Sequence, residues 1–152
     1  MSEPNPAIDR SCLAIADYLM KRLNIALQQD YPNAIAVRDI VSYDAVNPDL
    51  SRFPLLKVYR LTDTYDLYSN ETDAVIAYCL TFPNQEQLPG ILRWASYQIV
   101  SALRDFSVSQ ENCPGLRLNL DQILKAEYRI MVNEVANPVY AFLRINFQFK
   151  EN

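Results

Sequence analysis

The side chains that could bind a metal ion are carboxylates, and they fall in two polar stretches. Asp63, Asp66 and Asp73 lie close together in the sequence, and Asp44 and Asp49 form a similar pair. A calcium-binding loop places acids at alternate positions and a glycine at its sharp turn. Neither stretch contains a glycine or a sustained run of alternate acids. The pattern therefore favours solvated loops over a metal site.

Two shortages of residue types exclude most catalytic arrangements. The chain has no histidine, so Ser-His-Asp triads, Cys-His pairs and histidine-based metal sites cannot form. Its two glycines, Gly90 and Gly115, are isolated, which excludes a GxGxxG turn and a Walker-A loop. Acid–base catalysis by Asp, Glu, Lys or Tyr stays open, but no spacing groups such residues. The sequence thus predicts no catalytic, cofactor-binding or metal-binding residues, and no enzyme.

The segment "FPNQEQLPG", residues 82–90, leads from a predicted strand into a predicted helix. Helix N-termini of this kind bind phosphate in many α/β enzymes. A phosphate site would also need a glycine-rich backbone and a cationic side chain. The segment has one glycine, at its end, and the first cation after it is Arg93. A structural corner is therefore favoured over an anion site.

Length and composition indicate one globular domain spanning residues 1–152, of which 50% are hydrophobic. The net charge of −4 argues against a dedicated nucleic-acid-binding protein, which would show a basic stripe. No apolar run approaches the length of a membrane span, and the acidic, polar start does not resemble a signal peptide. Cys12, Cys79 and Cys113 are odd in number and outside any CxxC motif, which indicates reduced thiols in a cytosolic setting.

Apolar residues at three- and four-residue steps predict two helices. The first covers residues 6–29 and ends before Pro32. The second covers residues 89–106, with Trp94 and Tyr97 flanking its apolar stripe. The residues of the two stripes are Ile8, Cys12, Ile15, Leu19, Leu23 and Ala26 in the first helix, and Ile91, Leu92, Ala95, Ile99, Ala102 and Leu103 in the second.

Five strands are predicted over residues 34–43, 53–61, 73–82, 125–135 and 137–150. Residues 62–72 read as a connection and residues 107–122 as irregular, with a turn at Gly115. The order α-β-β-β-α-β-β predicts an α+β fold: a mainly antiparallel or mixed sheet with both helices packed on one face. The third strand is apolar on both faces, which predicts a central position. Apolar residues on both faces of several strands also predict that another chain covers part of the sheet.

Aromatic residues cluster around the predicted hairpin between the second and third strands. Tyr59, Tyr65 and Tyr68 lie there, with Arg60 beside Tyr59. Tyrosine and arginine are enriched at protein interfaces because they combine rigid area with polar tips. The same residues are equally consistent with ordinary half-buried positions in a sheet, and both interpretations remain open at this stage.

The whole pattern resembles the tail terminator proteins of tailed bacteriophages. A long first helix ends at "QDYPNAIAV", and a strand pair, "FPLLKVYRL" and "DAVIAYCLTF", follows. A polar bridge then leads to the helix "LPGILRWASYQIVSALRDF", and the chain closes on "YAFLRINFQF". The resemblance covers most of the chain and rests on the order and pattern of elements, without a diagnostic short motif.

That resemblance implies a structural virion protein without catalysis or cofactor. It implies a ring, typically of six copies, that caps the tail tube and stops polymerisation of the tube and of a sheath where one exists. The ring would join the tail to the head-side connector or stopper protein, and DNA would pass through its lumen without specific binding. The protein would be assembled in the bacterial cytoplasm and would reside in the tail or neck of the virion, with no membrane partner.

A ring needs a heterologous interface, in which one patch meets a different patch on the neighbouring subunit. The residues expected in these patches are Tyr59, Arg60, Tyr65 and Tyr68 of the hairpin, and Phe147 and Phe149 at the edge of the last strand. Two other functions remain open. A head-completion or stopper protein would also form a ring but would not halt tube growth. A small histidine-free enzyme would need a concave pocket lined by acids with shifted pKa values.

Overall fold

A computed structural model describes residues 9–45, 48–81, 88–106, 115–121, 123–135 and 138–151. Within these residues, two helices and six strands follow the order α1-β1-β2-β3-α2-β4-β5-β6. The predicted α+β class is confirmed, and the predicted order lacks only the short strand β4. The bounds are α1 Arg10–Asp30, β1 Asp39–Val41, β2 Leu55–Tyr65, β3 Asn70–Thr81, α2 Leu88–Arg104, β4 Arg117–Asn119, β5 Ala126–Val132 and β6 Pro138–Glu151, with a 3-10 turn at Leu50–Arg52.

The strands form one mixed sheet in the order β1-β2-β3-β6, and β4 and β5 both pair with the far side of β6. β1 runs parallel to β2, and the other pairings are antiparallel. The 14 residues of β6 let β5 pair along its first half while β4 pairs near its end. The last strand therefore has a neighbouring strand on each side along most of its length, whereas an interface patch was expected at its edge.

The β2–β3 hairpin extends well beyond the strands predicted for it. Pairing continues from Leu55 opposite Cys79 to Tyr65 opposite Asn70, with a bulge after Arg60. Residues 62–72, predicted as a connection, are thus mostly strand. This part of the hairpin is polar, so it carries no hydrophobic alternation by which it could be recognised.

Helix α1 begins at Arg10 because Asp9 caps it: the Asp9 carboxylate accepts a hydrogen bond of 3.1 Å from the Cys12 N–H. It ends at Asp30, two residues before Pro32 and one residue after the predicted end. The predicted start at residue 6 lies outside the described residues. The predicted stripe is buried at Cys12, Ile15, Leu19 and Leu23.

The connection from α1 to β1 is irregular over most of the stretch predicted as the first strand. Asn24 of α1 accepts a 2.8 Å hydrogen bond from the Val37 N–H and donates one of 3.4 Å to the Val37 carbonyl. These bonds occupy the backbone groups of Val37 that a strand partner would otherwise use. Only Asp39–Val41 is therefore a strand, and it pairs with β2.

Helix α2 matches its predicted position and buried stripe. Ile99 is 1% exposed, and Leu92, Ala95, Ala102 and Leu103 are also buried. Trp94 is half-buried beside the stripe. Its indole N–H donates a 2.7 Å hydrogen bond to Asp30, and its ring meets Tyr31 edge-on. This pair of contacts joins the end of α1 to the start of α2.

Both helices pack on one face of the sheet, as predicted, and form the main core there with alternate residues of β2, β3 and β6. A smaller apolar cluster lies on the opposite face, around Phe53, Leu55 and Cys79, with Tyr140 and Phe142 packed against it. Phe53 comes from the segment before β2. Part of the second apolar face is therefore covered by this chain itself, where the sequence had predicted another chain.

Cys12 and Cys79 are buried free thiols, as predicted for small core residues. Burial raises the pKa of the Cys79 thiol to about 11, and it raises that of Cys12 further. Cys113 lies outside the described residues. Neither described helix combines the length and apolarity needed to cross a membrane.

Candidate interaction surfaces

The end of the β2–β3 hairpin is a tight turn organised by one carboxylate. The Asp66 N–H donates a 3.0 Å hydrogen bond to the Ser69 carbonyl. The Asp66 carboxylate in turn accepts bonds of 2.8 Å from the backbone N–H groups of Tyr68 and Ser69. These backbone hydrogen bonds hold the pKa of Asp66 below its usual value. The turn is therefore closed by an ionised side chain at neutral pH.

This turn displays large side chains to solvent. Tyr65 is 75% exposed, Leu67 is 90% exposed and Tyr68 is 87% exposed. We call these three residues the hairpin tip. Contiguous exposed apolar surface of this kind marks sites of association more often than isolated exposed residues do. The predicted loop location of Tyr65 and Tyr68 corresponds to the end of the hairpin.

Below the tip, one arginine joins three carboxylates. The Arg60 guanidinium donates hydrogen bonds of 2.5 Å to Asp9, 2.6 Å to Glu151 and 2.9 Å to Asp63. It also lies over the ring of Phe149, with its central carbon 5.2 Å from the ring centroid. Residues from the start of α1, from β2 and from the end of β6 meet in this cluster, which we call the Arg60 cluster.

The Arg60 cluster keeps Asp9 and Asp63 ionised. Burial alone would raise the pKa of Asp9 and Asp63, but hydrogen bonds outweigh it and lower both. For Asp9 these come from Arg60 and from the Cys12 N–H, and for Asp63 they come from Thr72 and Arg60. The same carboxylates raise the pKa of Arg60 despite its burial. The cluster is therefore a charged anchor for the base of the hairpin.

We expect the Arg60 cluster to make the fold sensitive to acid. Asp9 and Asp63 have folded-state pKa values below 3.8, so their contribution to the free energy of unfolding is complete above about pH 4. It is lost as the pH falls below about 4 through the lowered values. Urea unfolding at pH 7, 5, 4 and 3 measures this loss. An Arg60→Met variant should lose less stability over the same range, and an equal loss in both proteins would contradict the prediction.

The outer face of the sheet near the hairpin carries a chain of polar side chains across four strands. Asp73 accepts hydrogen bonds of 2.9 Å from Thr62 and 2.5 Å from Gln148. Asn119 donates bonds of 3.2 Å to Gln148 and 3.4 Å to Glu71. These groups satisfy one another, so this part of the outer face is polar and needs no covering chain.

The residues expected to form interfaces lie in different environments. Tyr59 is half-buried in β2 and Arg60 belongs to the cluster described above, while Tyr65 and Tyr68 are exposed at the tip. Phe147 and Phe149 are 3% and 0% exposed. They lie on the helix-facing side of β6, inside the main core. Their side chains are unavailable to another chain, so the expected patch at the last strand is corrected to a core position.

β5 offers a second exposed apolar surface. Within the described residues it pairs only with β6, which leaves its other edge unpaired. Ile130 and Val132 are 58% and 55% exposed, and Val135 just after the strand is 72% exposed. Unpaired, apolar edges are surfaces at which further strands or chains associate.

A largely apolar cleft of about 580 Å³ lies at the end of the sheet opposite the hairpin tip. It is bounded by the end of α1, the connection to β1, the 3-10 turn and the last residues of β3. Asp30 and Arg38 are the charged residues among those that line it. The apolar residues of its wall include Tyr31, Ile35, Leu50, Phe53, Leu80 and Ile91.

The carboxyl groups with displaced pKa values do not line this cleft. Asp9, Asp49, Asp63 and Asp66 are the described carboxyl groups with displaced values, and each is lowered. A general acid or base works best with a pKa near the operating pH, so these four are suited to structural pairing. In the part of the chain that the structure describes, no group of three or more potential ligands could hold a metal ion.

Sequence reasoning missed three residues of the hairpin tip and the Arg60 cluster. Leu67 is the most exposed residue of the tip, and the Asp66–Ser69 pair that closes its turn was a usable signal. Asp9 and Glu151 gave no signal, because they meet Arg60 only through the tertiary fold.

Comparison with known proteins does not add to this picture. No protein-family model matches the chain, and no curated protein sequence matches it significantly.

Proposed function

We propose that this chain is a ring-forming structural subunit of a phage tail, acting as a tail terminator. In this role it would cap the tail tube, stop growth of the tube and present a surface to the head-side connector. The observation that carries the proposal is the projecting hairpin tip, with Tyr65, Leu67 and Tyr68 exposed at the end of a rigidly anchored turn. A monomer gains nothing from such a surface, whereas an assembling subunit does.

Two further features support a ring. The exposed apolar surfaces lie in different places, on the tip and on β5, as heterologous association requires. The formal net charge of −4 suits a lumen through which DNA passes without sticking. Self-association, a tube partner and a head-side partner follow from this role, and the site of action would be the tail or neck of the virion.

The mass of the purified chain in solution tests the proposal, together with negative-stain images. We expect a closed ring of about six copies, either free or on the ends of tubes. Adding the protein to polymerising tube protein from the same genome should shorten the tubes and leave a cap at one end. Rings that form while tube length stays unchanged would favour a head-completion or stopper role. A monomer at every concentration that also leaves tubes uncapped would contradict a ring-forming role.

A double variant, Tyr65→Ala with Tyr68→Ala, should weaken assembly and leave the monomer folded. Both side chains are exposed, so their loss costs the core nothing. Tyrosine is enriched among interface hot spots, whose truncation to alanine costs about 2 kcal/mol or more, so the concentration for half-assembly should rise at least about tenfold. Mass photometry across a dilution series measures it. Tyr97→Ala is the control, because it removes a tyrosine of α2 that is 72% exposed, and it should leave the concentration for half-assembly unchanged. If both variants raise that concentration equally, the tip is not part of the interface.

A further inference from the structure

We infer that the hairpin tip of one copy inserts into the apolar cleft of the next copy, which makes the contact between neighbouring subunits head-to-tail. This inference deepens the proposed function by naming both halves of the subunit contact, and it rests on that function only for closure into a ring. The tip supplies Tyr65, Leu67 and Tyr68, and the cleft supplies Ile35, Leu50 and Phe53.

The two surfaces lie at opposite ends of the same hairpin. β2 starts directly after Phe53 and Pro54, which line the cleft, and ends at Tyr65 of the tip. β3 returns from the tip to Leu80 and Thr81, which line the cleft again. A strand of 11 residues spans about 35 Å. The tip therefore cannot reach the cleft of its own chain, and the contact must join two copies.

The cleft and the tip match in size. A cavity of about 150 Å³ holds one benzene molecule, so a cleft of about 580 Å³ has room for the side chains of the tip. The wall residues are themselves partly exposed, with Ile35 at 53% and Leu50 at 36%. Filling the cleft therefore removes apolar surface from water on both sides of the contact.

One pair of opposite charges also favours the contact. Of the two charged residues that line the cleft, Arg38 is exposed, whereas the Asp30 carboxylate already accepts a 2.7 Å hydrogen bond from the Trp94 indole. Asp66 in the turn of the tip is exposed, and its backbone hydrogen bonds lower its pKa and hold it ionised. A tip entering the cleft brings this carboxylate toward the guanidinium, and the opposite charges favour one orientation of entry. The hydroxyl groups of Tyr65 and Tyr68 are polar and can remain in contact with water at the rim of the cleft.

The area buried is smaller than that of a stable dimer. Burying the three side chains removes roughly 400 Å² on the tip side, against about 800 Å² per partner in a standard interface. A single contact is therefore weak, and closure of the ring, in which every subunit uses its tip and its cleft at once, provides the remaining stability.

Cysteine crosslinking between two differently tagged chains tests the contact. One chain carries Leu67→Cys in the tip and the other carries Ile35→Cys in the cleft, and both carry Cys113→Ser. The native Cys12 and Cys79 are buried with raised pKa values, so they do not react. Ile25→Cys on α1 is the matched control, because Ile25 is 59% exposed and does not line the cleft. A short bis-maleimide reagent is added at protein concentrations where the wild type assembles.

We expect the Leu67→Cys chain to crosslink to the Ile35→Cys chain at least about tenfold more than to the Ile25→Cys chain, because contact raises the effective concentration from micromolar to millimolar. Equal yields, or no product from assembled particles, would overturn the inference. The mass of the same samples distinguishes a failure of this inference from a failure of the proposed function. Rings without the tip-to-cleft product overturn the inference alone, whereas this product in open filaments supports the inference and overturns the ring. A chain that stays monomeric without product, and that also leaves polymerising tubes uncapped, overturns both.

Discussion

Replacing Ile99 with aspartate should leave the chain unfolded at 25 °C. Ile99 is 1% exposed in the middle of α2 and belongs to the core between the helices and the sheet. The change removes a buried aliphatic side chain, which alone costs roughly 2–5 kcal/mol. It also places an unpaired carboxylate among apolar groups, which costs several kcal/mol more even after its pKa rises. The sum is comparable to the 5–15 kcal/mol by which domains of this kind are stable.

Far-ultraviolet circular dichroism and urea unfolding check this prediction. Tyr97→Asp is the matched control, because it introduces the same charge two residues away at a position that is 72% exposed. We expect that variant to unfold within about 0.5 kcal/mol of the wild type, as surface substitutions usually do. A folded Ile99→Asp protein would mean that α2 presents a different face to the sheet.

Replacing Arg60 with methionine should lower the free energy of unfolding by about 2–4 kcal/mol. Removing one partner of a fully buried ion pair costs about 3–5 kcal/mol, because the remaining charge stays buried without compensation. Surface pairs contribute about 0–1 kcal/mol. Arg60 is 24% exposed and its three acidic partners are 19–27% exposed, so the effect lies between these limits and toward the larger one. Methionine keeps much of the contact with the ring of Phe149.

Thermal and urea unfolding measure this change, and a chain of this size should lose roughly 4–16 °C in Tm. Arg22→Met is the matched control, since Arg22 also pairs with an acid, Asp105, but at 41% and 65% exposure. That variant should cost less than about 1 kcal/mol. If both arginines cost the same, the three-acid arrangement around Arg60 contributes no more than a surface pair.

The elements that pack against the core were predictable because their buried positions require apolar residues at regular spacing in the sequence. The stripe through Ile99 gave α2, and the alternation through Leu143 and Ile145 gave β6. The outer half of the β2–β3 hairpin projects beyond the core, so its strands keep polar residues and carry no such period. β4 has three residues, too few for any period to show.

The candidate surfaces were predictable only in part. Tyr65 and Tyr68 fall between the two predicted strands, and this predicted loop location correctly indicated their exposure. Phe147 and Phe149 alternate with polar residues, which places them on one face of β6, but alternation does not say which face the helices cover. The cleft and the Arg60 cluster combine residues from distant parts of the chain, and a single sequence carries no record of which distant residues meet.

The Arg60 cluster also brings the two ends of the described chain together. Asp9 precedes the first helix and Glu151 ends the last strand, yet both carboxylates bind the same guanidinium. Ser11 reinforces this closure with a 2.6 Å hydrogen bond from its hydroxyl to Glu151. The chain at Asp9 is therefore close to the chain at Glu151, and a linker of a few residues between these two positions would cost little loop entropy. The domain is suited to circular permutation, with new termini opened in a connection that neither the tip nor the cleft uses.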